Sequence, residues 1–272
     1  NGRLSDKAFR AYSLLGGFWR RVFSRLSMVG AQSARNADRF RTLGVPSDRV
    51  RVVGNLKYDV QPKRAADLAA RRRKYGFTPD DFIWICGSTH EGEEETLLKA
   101  FIGMRRKGES IKMILAPRNI DRAGGLLAAV KDHGPFRGER RSLLSSDPGE
   151  LDVLVLDVMG ELGELYQLGQ VAFVGGSLIR HGGQNPLEPA RYGVPVLFGP
   201  SMENFSEMVE SFLKEKGAVV VRDSQDLLAC LKLYRGDESE RLRAGAAAAR
   251  VAGLQSGAVE RTLAMIESAL SS

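Results

Sequence analysis

The chain has 272 residues, 43% of them hydrophobic and 27% charged. That is enough apolar material for one sizeable core or two smaller ones, and it excludes a disordered chain. Apolar runs such as 194–198 and 218–221 fall far short of the roughly 20 residues that cross a bilayer, so no membrane-spanning helix is expected. The net charge of +7 is local, because residues 1–75 carry 18 Lys/Arg against 5 Asp/Glu and the remainder carries 22 against 28.

The opening Asn1-Gly2-Arg3-Leu4-Ser5 has neither a basic nor an apolar leader region. It is no signal peptide and reads as a cut inside a longer chain. Arg20, Arg21 and Arg25 then share a segment with Phe18, Trp19, Val22, Phe23 and Leu26. That mixture suits a helix meeting anionic headgroups or a phosphorylated ligand. Nucleic acid and a plain solvated face are the alternatives.

Strands are predicted at 28–31, 50–53, 82–86, 112–116, 153–156, 171–174, 195–198 and 218–221, with amphipathic helices between them. This is the α/β alternation of a parallel sheet covered on both faces. Ser33 is placed to cap a helix that ends at Leu43, with Gly44 beyond it. The first 58 residues supply two strands and two helices, too little for an independent core. Gln61-Pro62 interrupts the pattern, so the expected domains are 1–60 and 61–272. Residues 65–222 read as one doubly wound sheet of about six strands. Segment 134–149 reads as an irregular loop and the tail from Ser224 as helical. Cys86 and Cys230 are the only cysteines and lack metal-ligand spacing, so a reducing cytosol and no disulfide are expected.

In open parallel sheets ligands bind outside the carboxyl ends of the strands, and four strand-to-helix loops there carry chemistry. In Gly87-Ser88-Thr89-His90-Glu91-Gly92-Glu93-Glu94-Glu95, Ser88 or Thr89 caps the next helix, or the helix start takes a phosphate that the glutamates oppose. In Ala116-Pro117-Arg118-Asn119, Arg118 offers a planar fork for a phosphate, or a surface ion pair. In Asp157-Val158-Met159-Gly160-Glu161, Gly160 permits close approach and Glu161 accepts from ligand hydroxyls, or merely heads a helix. Val174-Gly175-Gly176-Ser177, followed by His181-Gly182-Gly183-Gln184-Asn185-Pro186-Leu187-Glu188, reads as a side-chain-free anion cradle. Asn185 is its N-cap, Pro186 stands at N1, and Glu188 holds either ribose hydroxyls or its own helix start.

These loops, with Gly54-Asn55-Leu56-Lys57-Tyr58-Asp59, Gly199-Pro200, Asn204-Phe205 and Gly257-Ala258, resemble bacterial 3-deoxy-D-manno-octulosonic acid (Kdo) transferases in order and spacing over almost the whole chain. The resemblance implies a GT-B fold, with a C-terminal Rossmann-like domain that binds CMP-Kdo and the end of an N-terminal Rossmann-like domain that meets the acceptor. It implies CMP contacts at Pro117, Arg118, Met159, Gly160, Glu161, Asn185, Pro186, Leu187 and Glu188. Ser88, Thr89, Gly176 and Ser177 are further donor-site candidates, and Lys57 would stabilise the transition state.

The partners it implies are CMP-Kdo, a lipid A precursor and the cytoplasmic face of the inner membrane, with no nucleic acid, no cofactor and no metal. Roughly 150 residues that relatives carry before this start, the size of a domain, would hold the general base and the membrane anchor. The chain alone is therefore expected to be inactive. Gln184 and Asn119 stand where relatives often have histidine, and neither titrates near neutral pH. A UDP-sugar GT-B enzyme and a silent nucleotide-binding module are the rival readings.

Overall fold

The structure is a computed structural model that describes residues 1–59 and 61–270. Val60 at the expected domain boundary and the last two residues lie outside them. The chain divides into two compact units, Asn1–Gln61 with Leu254–Ser272, and Pro62–Gly253.

In the first unit Ser5 caps α1 (Asp6–Leu14), and its Oγ accepts from the Ala8 amide. The backbone breaks at Leu15 before α2 (Gly16–Phe23). With α3 (Ala34–Thr42) the unit has three helices before residue 58, one more than the sequence suggested, because the two halves of the first segment turn at Leu15 instead of continuing. Ser33 caps α3 as expected, and Gly44 follows with φ +104°. α3 connects β1 (Val29–Ala31) to β2 (Val50–Val52), which pair in parallel. Leu4, Val29, Ala37, Phe40, Val45 and Val50 bury a small core beneath it.

The terminal helix, Ala258–Leu270, belongs to this unit. The sequence reading ran the second domain on to residue 272. The helix is held here by Asp59, whose carboxylate accepts from the amides of Gly257 (2.8 Å) and Val259 (2.6 Å), capping a positive helix end. Arg261 adds a bond from Nε to the Val53 carbonyl at 3.1 Å. Gly54 leaves the room for this: a Cβ there would lie 3.0 Å from the Arg261 guanidinium and 3.2 Å from Ala258.

The second unit opens with α4 (Leu68–Lys74), capped by Asp67, and then alternates. Its elements are β3 (Ile83–Thr89), α5 (Glu94–Arg105), β4 (Lys112–Pro117), α6 (Ala123–Asp132), β5 (Gly138–Arg140), β6 (Val153–Val155), α7 (Leu162–Leu165), β7 (Val171–Val174), α8 (Leu187–Ala190), β8 (Val196–Phe198), α9 (Ser206–Lys214), β9 (Ala218–Val220), α10 (Ser224–Gly236) and α11 (Glu238–Leu254). The strands form one parallel sheet in the order β5-β6-β4-β3-β7-β8-β9.

Successive strand residues alternate between two cores, as the period of two requires. Trp84, Cys86, Met113, Leu115 and Phe173 pack on one face against α5, α6 and α10, and Ile83, Ile85, Ile114 and Ala172 pack on the other with Leu165 and Tyr166. β5 was missed, because 134–149 was read as a loop. Gly138-Glu139-Arg140 has no apolar pattern, and it joins an edge only by backbone pairing with β6. A Cβ on Gly138 would come 2.8 Å from Leu127. Cys86 is buried in β3 and Cys230 lies in α10, both as free thiols.

Candidate functional site

From β3 the chain runs outward through β4 to the edge strand β5, comes back to β6 between them, and then crosses to place β7 on the other side of β3. The carboxyl ends of β3 and β7 therefore flank the point where the winding reverses, the place where open parallel sheets bind their ligands. Three of the four chemistry-bearing loops converge on this point or on its neighbour β4.

The predicted anion cradle is already filled. Glu93, fully buried, puts its carboxylate among the amides of the loop after β7. Oε2 accepts from His90 N (2.9 Å) and Gly176 N (2.7 Å), and Oε1 accepts from Ser177 N and Leu178 N, both at 2.9 Å. The neighbouring amides are also engaged: Gly183 N donates to Gly176 O, Gln184 N to Gly175 O, and Gly182 N to Ser201 Oγ.

The glycines, read from sequence as room for a ligand, are required by close packing. A Cβ on Gly175 would meet the Ser88 carbonyl at 2.3 Å, one on Gly182 the Asn204 side chain at 2.4 Å, and one on Gly183 the Met202 sulfur at 2.2 Å. Thr89 and Ser177 are fully buried. Thr89 Oγ1 donates to Glu94, while Ser177 Oγ donates to Val174 O and accepts from Gly199 N. Ser88 takes φ +54° at a break in the β3–β4 register and does not cap α5. Of the four donor-site candidates, Thr89, Gly176 and Ser177 are thus buried in the packing of these loops.

The acidic start of α5 is accounted for as well. Glu94 takes a bidentate pair from Arg122 (2.8 and 3.2 Å), and Glu95 pairs with Lys99 at 2.6 Å. The glutamates that would have opposed an anion are thus each engaged by amides or a cation.

Pro117 is buried at the end of β4 and delivers Arg118 to the surface. The Arg118 backbone amide is fixed to Thr89 O at 2.8 Å. Its guanidinium makes no hydrogen bond or ion pair with another described residue. Asn119 turns its Oδ1 to the Asp121 amide at 3.1 Å.

Sequence reasoning missed what lies next to this arginine. His90 and His181 bring their rings together, with centroids 4.0 Å apart and planes tilted by 39°. Both rings lie over Gly176, where a Cβ would come 3.1 Å from His181 and 3.3 Å from His90. Burial and His181 hold His90 below its ordinary pKa of 6.5, with Arg118 adding to the effect and Glu93 and Glu94 opposing it. The two histidines sit 91 positions apart in sequence, so only the crossing of β7 beside β3 could unite them.

Asn185 Oδ1 accepts from the Leu187 amide (3.1 Å), and α8 begins one residue later than predicted. Pro186 and Leu187 are buried. Glu188 receives a bond from Asn185 Nδ2 at 3.4 Å. Burial raises its carboxyl above the ordinary carboxylate range, with Asn185 and Arg191 opposing.

Glu161, expected to accept from a ligand, is held by Arg141 through Nε (2.8 Å) and a terminal nitrogen (3.1 Å), and by the Tyr75 hydroxyl at 3.0 Å. What its turn leaves open is Met159, 69% exposed, and Gly160, with φ +87° and open space where a Cβ would be. Lys57 belongs to the first unit, exposed on a 3-10 turn at Leu56–Tyr58, with its amide bonded to Asn55 Oδ1.

Residues 1–60 match the family model described as 3-Deoxy-D-manno-octulosonic-acid transferase (kdotransferase). A 3-deoxy-D-manno-octulosonic acid transferase of Haemophilus influenzae is 31% identical over 268 residues, 98% of this chain and 62% of that protein. The C-terminal CMP-Kdo binding domain of WaaA from Acinetobacter baumannii superposes with a TM-score of 0.60 at 28% identity, over 67% of this chain and 95% of that domain. A UDP-GlcNAc 2-epimerase from Neisseria meningitidis shares the fold alone, with a TM-score of 0.59 and 12% identity over 90% of this chain and 63% of that one. The chain spans about three fifths of the Haemophilus relative's length. Through sequence that matches across both units and through the fold of the second, the chain is similar to 3-deoxy-D-manno-octulosonic acid transferases and has the GT-B type of architecture.

Proposed function

We propose that the chain binds CMP-Kdo at the carboxyl ends of β3, β4 and β7. The reaction it serves is inverting, metal-independent transfer of Kdo to a lipid A precursor, lipid IVA, in lipopolysaccharide core biosynthesis at the cytoplasmic face of the inner membrane. The observation that carries this reading is Arg118, an exposed guanidinium without a protein partner among the described residues, fixed by its backbone where the sheet's winding reverses. Its likeness to the Acinetobacter CMP-Kdo binding domain supports the choice of donor.

As the bond from the anomeric carbon to phosphate breaks, negative charge collects on the departing CMP. Arg118 stabilises that charge more in the transition state than in the ground state. With Glu93 occupying the loop amides, side-chain cations carry the phosphate. The Met159-Gly160 turn offers open backbone to the nucleotide, and Glu161 braces the turn through Arg141. The base that takes the acceptor's proton is assigned to no residue of this chain.

The membrane surface is supported by the first unit. Leu14, Leu15, Phe18 and Val22 are exposed on α1 and α2 beside exposed Arg20, Arg21 and Arg25, the composition of an interfacial helix meeting anionic lipid. Among the described residues no helix is long and apolar enough to cross a membrane.

The donor reading is tested by calorimetric titration of the chain with CMP and with UMP. CMP is expected to bind at least about tenfold more tightly, a difference of roughly 1.4 kcal/mol. A preference for UMP would replace the donor with a UDP-sugar.

Glu188 gives a separate test. Its folded-state pKa is raised, so the folded protein favours the protonated form. Stability from this group is greatest below the unfolded carboxyl pKa and declines as pH rises through the folded value. Carrying its charge is therefore a cost to the fold, as expected of a side chain kept for a ligand. Glu188→Gln preserves shape, and at pH 7 it should hold or raise the melting temperature while weakening CMP binding. A sharp fall in melting temperature with unchanged affinity would make Glu188 structural.

A further inference from the structure

We propose that His90 and His181 form the subsite for the carboxylate of the donor's sugar acid. The inference rests on the CMP-Kdo reading and adds the position of the sugar's own charge. Kdo is a 2-ulosonic acid, so the anomeric carbon that bears the phosphate also bears a carboxylate. A donor of this class presents two anions from one carbon, and its site needs two adjacent positive groups.

Arg118 is one of them, permanently charged. The second must lie beside it, and the loop amides that might have served are bound to Glu93. The His90–His181 pair, with ring centroids 4.0 Å apart over the floor made by Gly176, lies at the same strand ends.

The pair is built to receive an anion and not to hold charge without one. Gln184 Nε2 lies 3.2 Å from His90 Nε2. With the amide nitrogen facing the ring, His90 Nε2 is the acceptor and His90 is neutral; a half-turn of the Gln184 amide presents its oxygen instead and accepts from a charged His90. The groups facing His90 are His181 and Arg118, which disfavour its charge, and Glu93 and Glu94, which favour it. The carboxylates do not win, because Glu93 is engaged by four amides and Glu94 by Arg122. Two imidazoles in contact cannot both be charged cheaply in the absence of an anion.

A carboxylate arriving between the pair and Arg118 removes that repulsion. Protonation of the pair then becomes favourable, and binding takes up a proton. The bound histidine pKa lies above the free one, so affinity for the sugar acid is greatest below the free value and declines as pH rises through the bound value. Glu93 has a positioning role here, because it ties the backbone carrying His90 to the loop carrying His181.

The chain contains three histidines, so proton NMR resolves each. His133, on the segment after α6 with Nδ1 2.7 Å from the Ala129 carbonyl, serves as internal reference. Titration midpoints are measured for the 272-residue chain saturated with CMP and saturated with CMP-Kdo. CMP-Kdo is expected to raise the midpoint of His90 by about one pH unit over the CMP complex. His181→Gln should weaken CMP-Kdo at pH 6.5 about tenfold more than it weakens CMP. Equal midpoints in the two complexes, or equal losses for the two ligands, would overturn the subsite while CMP binding keeps the donor reading intact. Failure of CMP to bind at all would remove that reading and this inference together.

Discussion

Glu93→Gln will lower the melting temperature of the second unit by on the order of 10 °C. The change is nearly isosteric, yet it replaces an oxygen that accepts from two backbone amides with an NH2 group that turns protons toward them. Whichever oxygen is lost, one buried and one half-buried donor are left unpaired: Gly176 and His90, or Ser177 and Leu178. A buried unsatisfied donor costs about 1–3 kcal/mol and a half-buried one less, so the total is about 2–4 kcal/mol against a usual reserve of 5–15. In a domain of this size each kcal/mol moves the midpoint by about 2–4 °C.

The opposing effect is relief from burying a carboxylate with no cation beside it. That relief is small, because the four amides already replace its hydration. Calorimetric melting of the wild type and variant decides the matter. A midpoint that holds or rises would mean that burial of the charge outweighs the amide bonds. Glu93→Asp, one methylene shorter, should fail to restore the full set.

Arg118→Ala will leave the melting curve where it is and weaken CMP binding about 10- to 150-fold. A charge-assisted hydrogen bond contributes about 1.5–3 kcal/mol, and each 1.4 kcal/mol is tenfold in affinity. Stability should not follow, because the guanidinium is exposed and bonds to no described residue, while the anchoring bond from its backbone amide to Thr89 O survives in alanine. Arg118→Lys, which keeps a point charge and loses the planar fork, should fall between. The wild-type affinity should also decline with added salt more steeply than the variant's. An unchanged CMP dissociation constant in Arg118→Ala would remove this residue from the phosphate site.

The sequence by itself determined the fold class and most of the strands. Runs such as 82–86 and 171–174 are buried on both faces, so each is a continuous apolar stretch that announces itself without its neighbours. The ends of α3 were equally legible, because Ser33 and Gly44 act within a few residues of themselves. Arg118 could be picked out because a strand-end arginine after proline is local information, and the family resemblance rested on motifs that are themselves contiguous.

Tertiary structure decided the rest, wherever the deciding partner is distant in sequence. β5 carries no apolar period and exists by pairing with β6. The terminal helix joins the first unit through Asp59, nearly 200 residues upstream of the amides that it caps. Glu93 reads locally as a carboxylate answering its own helix dipole, yet three of its four partners are amides more than 80 positions away. That single placement turned a predicted ligand cradle into an internally satisfied wall. The meeting of His90 with His181 depends in the same way on β7 returning beside β3. Hydrogen-bond donors and acceptors have no sequence range, and a one-dimensional pattern shows which groups need partners without showing which ones they find.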